Sequence, residues 1–468
     1  MHFFAGDTLL LRRLLAVALG LQILALSADF ARAQQAPAAV RDGGIDTEFL
    51  QRVGQGAGDR IHCAALAADG SGKVLLAGWF TTYAGQERWR IARIFPDGRL
   101  DAAFDPGDGP GTEPILALLP LPDGGCLVAG AFRRFAEKPR RLLARLRADG
   151  SLDETFDATN ALLTAAPPAT RGRSRRHADA TAETDQIHGP SPAPVDGLRA
   201  LALLPADKDA EMSAHPLRVL VGGEFADGAG HLLCLDAATG AAVPGFHPPA
   251  IPAGGAITAI LPLPDGKILI GGRFESVAGQ PRAHVAWLAA DGTLDLAFDP
   301  GLGADGAVLC LALSPVGNKP IVGGEFTHFA GQARAGLARL ENDGRLDATF
   351  DPELAGAGSR SVETLVPVAT GDALLVGGKF LTIRNRPLGG IVRLDAHGRW
   401  DTSFDPGAGA ANFVSDDVED EDDPATVHAI VPLPAAGGEE NGLLVAGRFD
   451  LFNAVPAHNL VRLRVGGR

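Results

Sequence analysis

Cysteine is scarce. The 468 residues hold four, Cys63, Cys126, Cys234 and Cys310, with no C-x-x-C pair and no His-x-His beside them, so the common zinc and dithiol frameworks are excluded. Positive charge is also short: 42 Lys and Arg face 56 Asp and Glu, a net charge of −14. Nucleic-acid affinity rests on Lys and Arg neutralising phosphates, so this balance speaks against a nucleic-acid partner. Long apolar runs are missing but for one, "LLAVALGLQILALSA", which follows Arg12 and Arg13 and precedes the small-residue pattern "ARA" at 31–33. That is the form of an export signal with its cleavage site. The run falls short of the roughly 20 residues of a membrane-spanning helix. The expectation is a signal peptide over 1–33, a short linker over 34–41 and a mature chain that is secreted or periplasmic, with no membrane span after cleavage; an uncleaved anchor is the other reading.

Catalytic signatures are absent as well. There is no G-x-S-x-G elbow, no H-E-x-x-H and no P-loop, so no catalytic residue, metal site or cofactor is assigned.

Glycine and proline, in contrast, abound. With 60 Gly and 33 Pro in a chain that is 46% hydrophobic, the composition is too apolar for a disordered Gly/Pro polymer and suits many tight turns between short apolar strands. Self-similarity shows the plan. A Gly-x-Phe ending an apolar strand recurs seven times, at Phe80, Phe132, Phe225, Phe274, Phe326, Phe380 and Phe449, each followed by a loop and a further strand; in six of them "DG" and "LDxxF" or a degenerate form come next. The fourth repeat shows the whole unit, "AITAILPLPDGKILIGGRFESVAGQPRAHVAWLAADGTLDLAFDPG", read as four short strands joined by turns.

Spacing sharpens this. From the Phe of Gly-x-Phe to the Phe of LDxxF is 24 residues in five repeats; the third is three shorter and ends at Phe246, and the seventh runs past Arg468. Its missing strand stands at the other end, where "DGGIDTEF" at 42–49 matches "HGRWDTSF" at 397–404. The expected fold is therefore all-β: a seven-bladed β-propeller of four strands per blade over 42–468, closed by the N-terminal strand completing the last blade so that no sheet edge is left open. Insertions at about 158–196 and 411–426 interrupt the period and read as disordered. The first carries the basic "RGRSRR". The second carries "SDDVEDEDD", a solvated acidic run that lacks the spaced ligands and turn glycine of a calcium loop.

The motif set "PDGKILIGGRF … LDxxFDPG" resembles the delta-60 repeat family of bacterial β-propeller proteins, over 42–468 apart from the insertions. The resemblance implies the fold and no reaction or ligand. Kelch repeats, the nearest alternative, need a Tyr and Trp pattern that one Tyr and four Trp cannot supply. The repeat also disposes of "VGGEF" at 221–225 and 322–326 as a nucleotide-cyclase signature: that signature has two acids between Gly and Phe, and here the one position holds Trp, Ala, Glu, Arg or Lys in turn.

Three recurrent patterns remain. The Gly two before each Phe marks a bulge or a close backbone approach. An Arg 13 residues after the Phe keeps company with the LDxxF aspartate: Arg93 with Asp101, Arg145 with Asp153, Arg339 with Asp347, Arg393 with Asp401, and Arg462 with Asp46 through the closure. These read as structural ion pairs, bidentate and partly buried; the third repeat has lost both members, with Cys234 and no aspartate, and only the fourth breaks the pairing, with Trp287 and an unpaired Asp295. The residue between Gly and Phe varies, as Trp79, Ala131, Glu224, Arg273, Glu325, Lys379 and Arg448. Its alternating charges either pair between blades or line a ligand site around the channel. His62 and His428 hold equivalent, neighbouring strand positions without a third metal ligand. Cys63 and Cys310 fall at equivalent points of distant blades, so the thiols read as free and buried.

The function expected is a monomeric, non-catalytic binding module for a protein or a glycan, with Trp79, Glu224, Arg273, Glu325, Lys379 and Arg448 as the ligand ring. A carbohydrate-active hydrolase or lyase at the channel mouth, and a structural part of a cell-envelope assembly, are the alternatives.

Overall fold

Each repeat is built from its turns outward. In the second, Asp123 Oδ1 accepts from Gly125 N at 3.0 Å across the "DG" turn, and Gly124 takes φ +82°, a left-handed value open to glycine at no steric cost. The flanking apolar runs then pair as an antiparallel hairpin. The computed structural model describes residues 42–164, 197–204, 217–225, 230–352, 354–355, 360–368, 373–379, 382–383, 386–412, 425–434 and 440–465. The expected signal peptide and linker, Phe380, and most of both insertions lie outside them. Among the described residues no helix is long and apolar enough to cross a membrane.

Among the described residues, seven of the three-stranded antiparallel sheets have the Gly-x-Phe strand at their centre, and these follow one another along the chain. The first comprises Ile61–Leu66, Val74–Gly78 and Ile91–Ile94. The first strands of the next six are Ile115–Pro120, Gly197–Leu204, Ala256–Pro262, Val308–Leu313, Ser361–Val368 and Thr426–Pro434. A fourth strand was expected from LDxxF. It is reduced to one isolated bridge, such as Ile94 with Leu100 or Leu394 with Trp400. The reason is local: Asp101 N donates to Arg93 O at 2.8 Å, and Asp101 Oδ1 then accepts from Ala103 N at 3.2 Å, which bends the chain away after one extended residue.

The sheets are held to one another by side chains. Seven core clusters each draw on two successive sheets; Leu75, Ala77 and Phe104 of the first meet Ile115, Val128 and Phe132 of the second. Another joins Val74 and Leu76 of the first to Val431 and Leu444 of the seventh. The Phe of both motifs fills these layers, Phe132 and Phe156 being wholly buried, each worth about 1.5–3 kcal/mol. At the chain ends, Gly43 N and Asp46 N donate to Arg464 O and Arg462 O, and Arg464 N to Gly44 O, all at 2.8 Å. Ile45 bridges Leu463, so the N-terminal segment takes on the seventh sheet the place that LDxxF takes elsewhere. It then winds into the helix Thr47–Val53, with Asp46 as N-cap.

The start of the first insertion is ordered. Thr159–Thr164 is a short helix, and its Leu162 is buried between the second and third sheets.

Candidate functional site

The recurrent glycine shapes the site. In all seven sheets the register slips once near the start of the first strand, opposite the Gly pair: between Ile61 and Cys63, Ile115 and Ala117, Leu198 and Ala200, Ile257 and Ala259, Val308 and Cys310, Val362 and Thr364, Val427 and Ala429. One residue bulges out each time, and a bulge re-aims its side chain. A Cβ on Gly78 would come within 2.5 Å of Arg60 O and 2.8 Å of His62 N, so only glycine admits the first strand this closely. The bulged residues are His62, Leu116, Arg199, Thr258, Leu309, Glu363 and His428. Five, His62, Arg199, Thr258, Glu363 and His428, are polar or charged in strands otherwise apolar, a signal that could have marked them from sequence.

A cavity of about 780 Å³ opens where sheets five, six, seven and one converge. Of the six expected ring residues, Glu325, Lys379 and Arg448 line it; Trp79, Glu224 and Arg273 do not. Arg60, Arg360, Glu363, His62 and His428 complete its charged and polar wall. The hairpin after the fifth Gly-x-Phe, His328–Phe329 with Gln332–Ala333, forms one side through Ala333 and Arg334. Trp79 stands behind the wall. Its Nε1–H donates to His62 Nε2 at 2.9 Å, and the Arg60 guanidinium lies over its ring at 4.8 Å. Glu224 and Arg273 instead act electrostatically on Arg199. Among the described residues no ion pair links Glu224 to Arg273, or Arg273 to Glu325, so the expected interblade pairing is not made there; Arg273 and Glu325 are exposed, where solvent screens such pairs.

Electrostatics divides the wall. His62 and His428 sit with ring centroids 5.1 Å apart. Burial lowers His62 to about 3, helped by His428, Arg60 and Arg199, and lowers His428 to about 4, helped by Arg60. Both are neutral at ordinary pH, and the Trp79 bond places the His62 proton on Nδ1. Among the described residues no group of three His, Cys, Asp or Glu is placed to hold a metal. Burial raises the Glu363 carboxyl, and Glu325 raises it further, against the Ser361 hydroxyl and Lys379.

The Arg–Asp positions lie away from this cavity, at the outer strands. Arg93 Nε is 2.7 Å from Asp101 Oδ2, Arg339 Nε 2.8 Å from Asp347 and Arg393 Nε 2.8 Å from Asp401, while Arg145 and Arg462 stand 3.4 Å and 3.7 Å from Asp153 and Asp46. The bidentate geometry expected is not adopted. Asp Oδ1 is taken by the turn, and the free guanidinium nitrogen crosses to the next sheet: Arg93 Nη1 donates to Ala148 O at 2.6 Å, and Arg339 Nη1 to Ala396 O. Each pair is thus also a tie between sheets. Asp295 is not unpaired: Lys267 Nζ lies 2.8 Å away, and Trp287 stacks on Phe298 at 4.8 Å, as Arg93, Arg339 and Arg393 lie over Phe104, Phe350 and Phe404. A flat apolar ring replaces a flat cation there. None of the four cysteines forms a disulfide; Cys126 and Cys234 are buried and Cys63 and Cys310 half-buried.

Four stretches, residues 70–104, 121–156, 263–298 and 318–350, match a family model described as a domain of unknown function (DUF5122) beta-propeller. That is the repeat type which the GGxF and LDxxF spacing resembles. No curated protein matches the chain.

Proposed function

We propose that this chain, whose repeats are of the DUF5122 β-propeller type, closes as a seven-bladed propeller and works as an exported, monomeric, non-catalytic binding module for a protein or a glycan, with the cavity at the channel mouth as its site. One observation carries the reading: side chains from four sheets, Glu325, Lys379, Arg448 and Arg60 among them, converge on one cavity of ligand size. Closure is supported by the core cluster between the seventh and first sheets and by the backbone bonds of the N-terminal segment to Arg462 and Arg464. Export rests on the N-terminal signal pattern alone. The test is a pull-down and glycan screen with the mature protein, repeated with Lys379→Ala and Arg448→Ala. A ligand whose affinity neither substitution changes would rule this site out.

A second reading has one observation in its favour. Glu325 and Glu363 share the cavity, and Glu363 is raised while Glu325 acts on it as a charge. A raised carboxyl sharing a cavity with a second one is equipment that a glycoside hydrolase uses. Glycan breakdown abolished by Glu363→Gln would establish it over the first.

A further inference from the structure

We infer that the group recognised in the channel-mouth cavity is the carboxylate of an acidic sugar at the end of a glycan, taken by Arg60 and Arg448, with Glu325 and Glu363 receiving the sugar hydroxyls. This deepens the binding-module reading and rests on it.

The first support is a local inversion of charge. The chain carries −14, yet its cavity is lined by five cationic side chains, Arg60, Arg334, Arg360, Lys379 and Arg448, and three acidic ones. Arg334 and Asp351 stand 3.8 Å apart and largely answer each other. The remainder is cationic, and the two imidazoles add no charge. A concave site of one sign focuses field and draws the opposite charge.

The second support is the setting of Arg60. It lines the cavity, and its guanidinium lies over the Trp79 ring at 4.8 Å. A planar guanidinium backed by an aromatic face presents the fork that a carboxylate fits.

The third is the mixture of the lining. A peptide rich in Asp and Glu would be served by cations along an open groove. This cavity is concave, of about 780 Å³, and sets two carboxyl acceptors, Glu325 and Glu363, and two neutral imidazoles beside the cations, His62 offering an Nδ1–H donor. One anionic group surrounded by hydroxyls needs that set of partners. The raised Glu363 carboxyl, where protonated, also lessens repulsion of an anion.

The experiment is a binding measurement with the mature protein against uronic-acid and sialic-acid oligosaccharides, their methyl esters, neutral hexose oligosaccharides and an acidic peptide, at two salt concentrations. The expected result is binding of an acidic sugar that weakens about ten-fold on esterification, and by a similar factor in Arg60→Gln and Arg448→Gln, less so in Arg60→Lys. Higher salt should weaken it too. Circular dichroism checks that the variants fold. Equal affinity for acid and ester, preference for the neutral sugar or the peptide, or no binding of any acidic sugar overturns the inference. If the neutral sugar or the peptide binds and Lys379→Ala or Arg448→Ala weakens it, the binding-module reading stands without the inference. If no bound ligand is sensitive to those substitutions, both fall.

Discussion

Gly378→Ala should be among the most damaging single-methyl changes in the molecule, and the geometry says why. The added Cβ would overlap the Ser361 carbonyl oxygen and lie 3.0 Å from Val362 Cα and 3.1 Å from Glu363 N. All three are backbone atoms, so no rotamer change relieves the clash and the first strand of the sixth sheet must move. Overpacking costs about 1–3 kcal/mol, and a site bounded by backbone belongs at the upper end, about 3 kcal/mol. The register slip between Val362 and Thr364 would be lost with it, withdrawing Glu363 from the cavity. Gly279→Ala is the control: nothing lies within 4 Å of its Cβ, and only φ +74° opposes the change, at about 1–2 kcal/mol. Urea unfolding of both variants against the parent measures the difference. Should Gly378→Ala unfold within about 0.5 kcal/mol of the parent, or above the control, the close-approach argument for all seven glycines is wrong.

Asp347 is 2% exposed on its side chain and holds Arg339 at 2.8 Å and Lys319 at 3.0 Å. Asp347→Asn leaves the buried Arg339 without its carboxylate, while Lys319 keeps Glu341 at 2.8 Å, and should cost about 3 kcal/mol in denaturant unfolding. Burial alone would raise this carboxyl, but hydrogen bonds from Thr349, Lys319 and Arg339 outweigh it and hold it well below the usual range. A depressed folded-state pKa stabilises above the unfolded value of about 3.9 and loses that contribution as pH falls below it, so parent and variant should converge in acid; a constant gap down to low pH would contradict this. Burial pushes the Cys63 and Cys126 thiols up to about 12. A thiol reagent at pH 8 should therefore label the buried Cys126 only after unfolding, and its labelling in the native protein at free-thiol rates would refute that burial. Deleting residues through Asp46 removes three 2.8 Å backbone bonds to the last sheet and bares its edge. A lower melting temperature and self-association on size exclusion are expected; an unchanged melt would mean that the seam contributes nothing.

Much of the fold was legible because its determinants recur at fixed spacing within one repeat. Gly-x-Phe, the turn and the LDxxF aspartate are read locally, and so is the pairing of Arg93 with Asp101 eight residues apart. What sequence reasoning missed at these positions was the second partner. Arg93 reaches Ala148, 55 residues on, and Asp295 is met by Lys267, 28 residues back, because packing between strands and sheets chose contacts that spacing does not display. The fourth strand was overcounted for a related reason: the same aspartate that pairs with Arg also captures the backbone of its own turn.

The candidate site divides along the same line. Sequence by itself determined that seven variable positions end the central strands and that seven glycines crowd what lies before them. It also determined that the two chain ends make one unit, since hydrogen-bond register and burial period are short-range properties. Only the tertiary structure decided that Glu325, Lys379 and Arg448 meet Arg60, Arg360 and Glu363 in one cavity while Glu224 and Arg273 do not. Those side chains come from different sheets, and their convergence depends on how the sheets pack, a property of the assembled core that no single repeat carries.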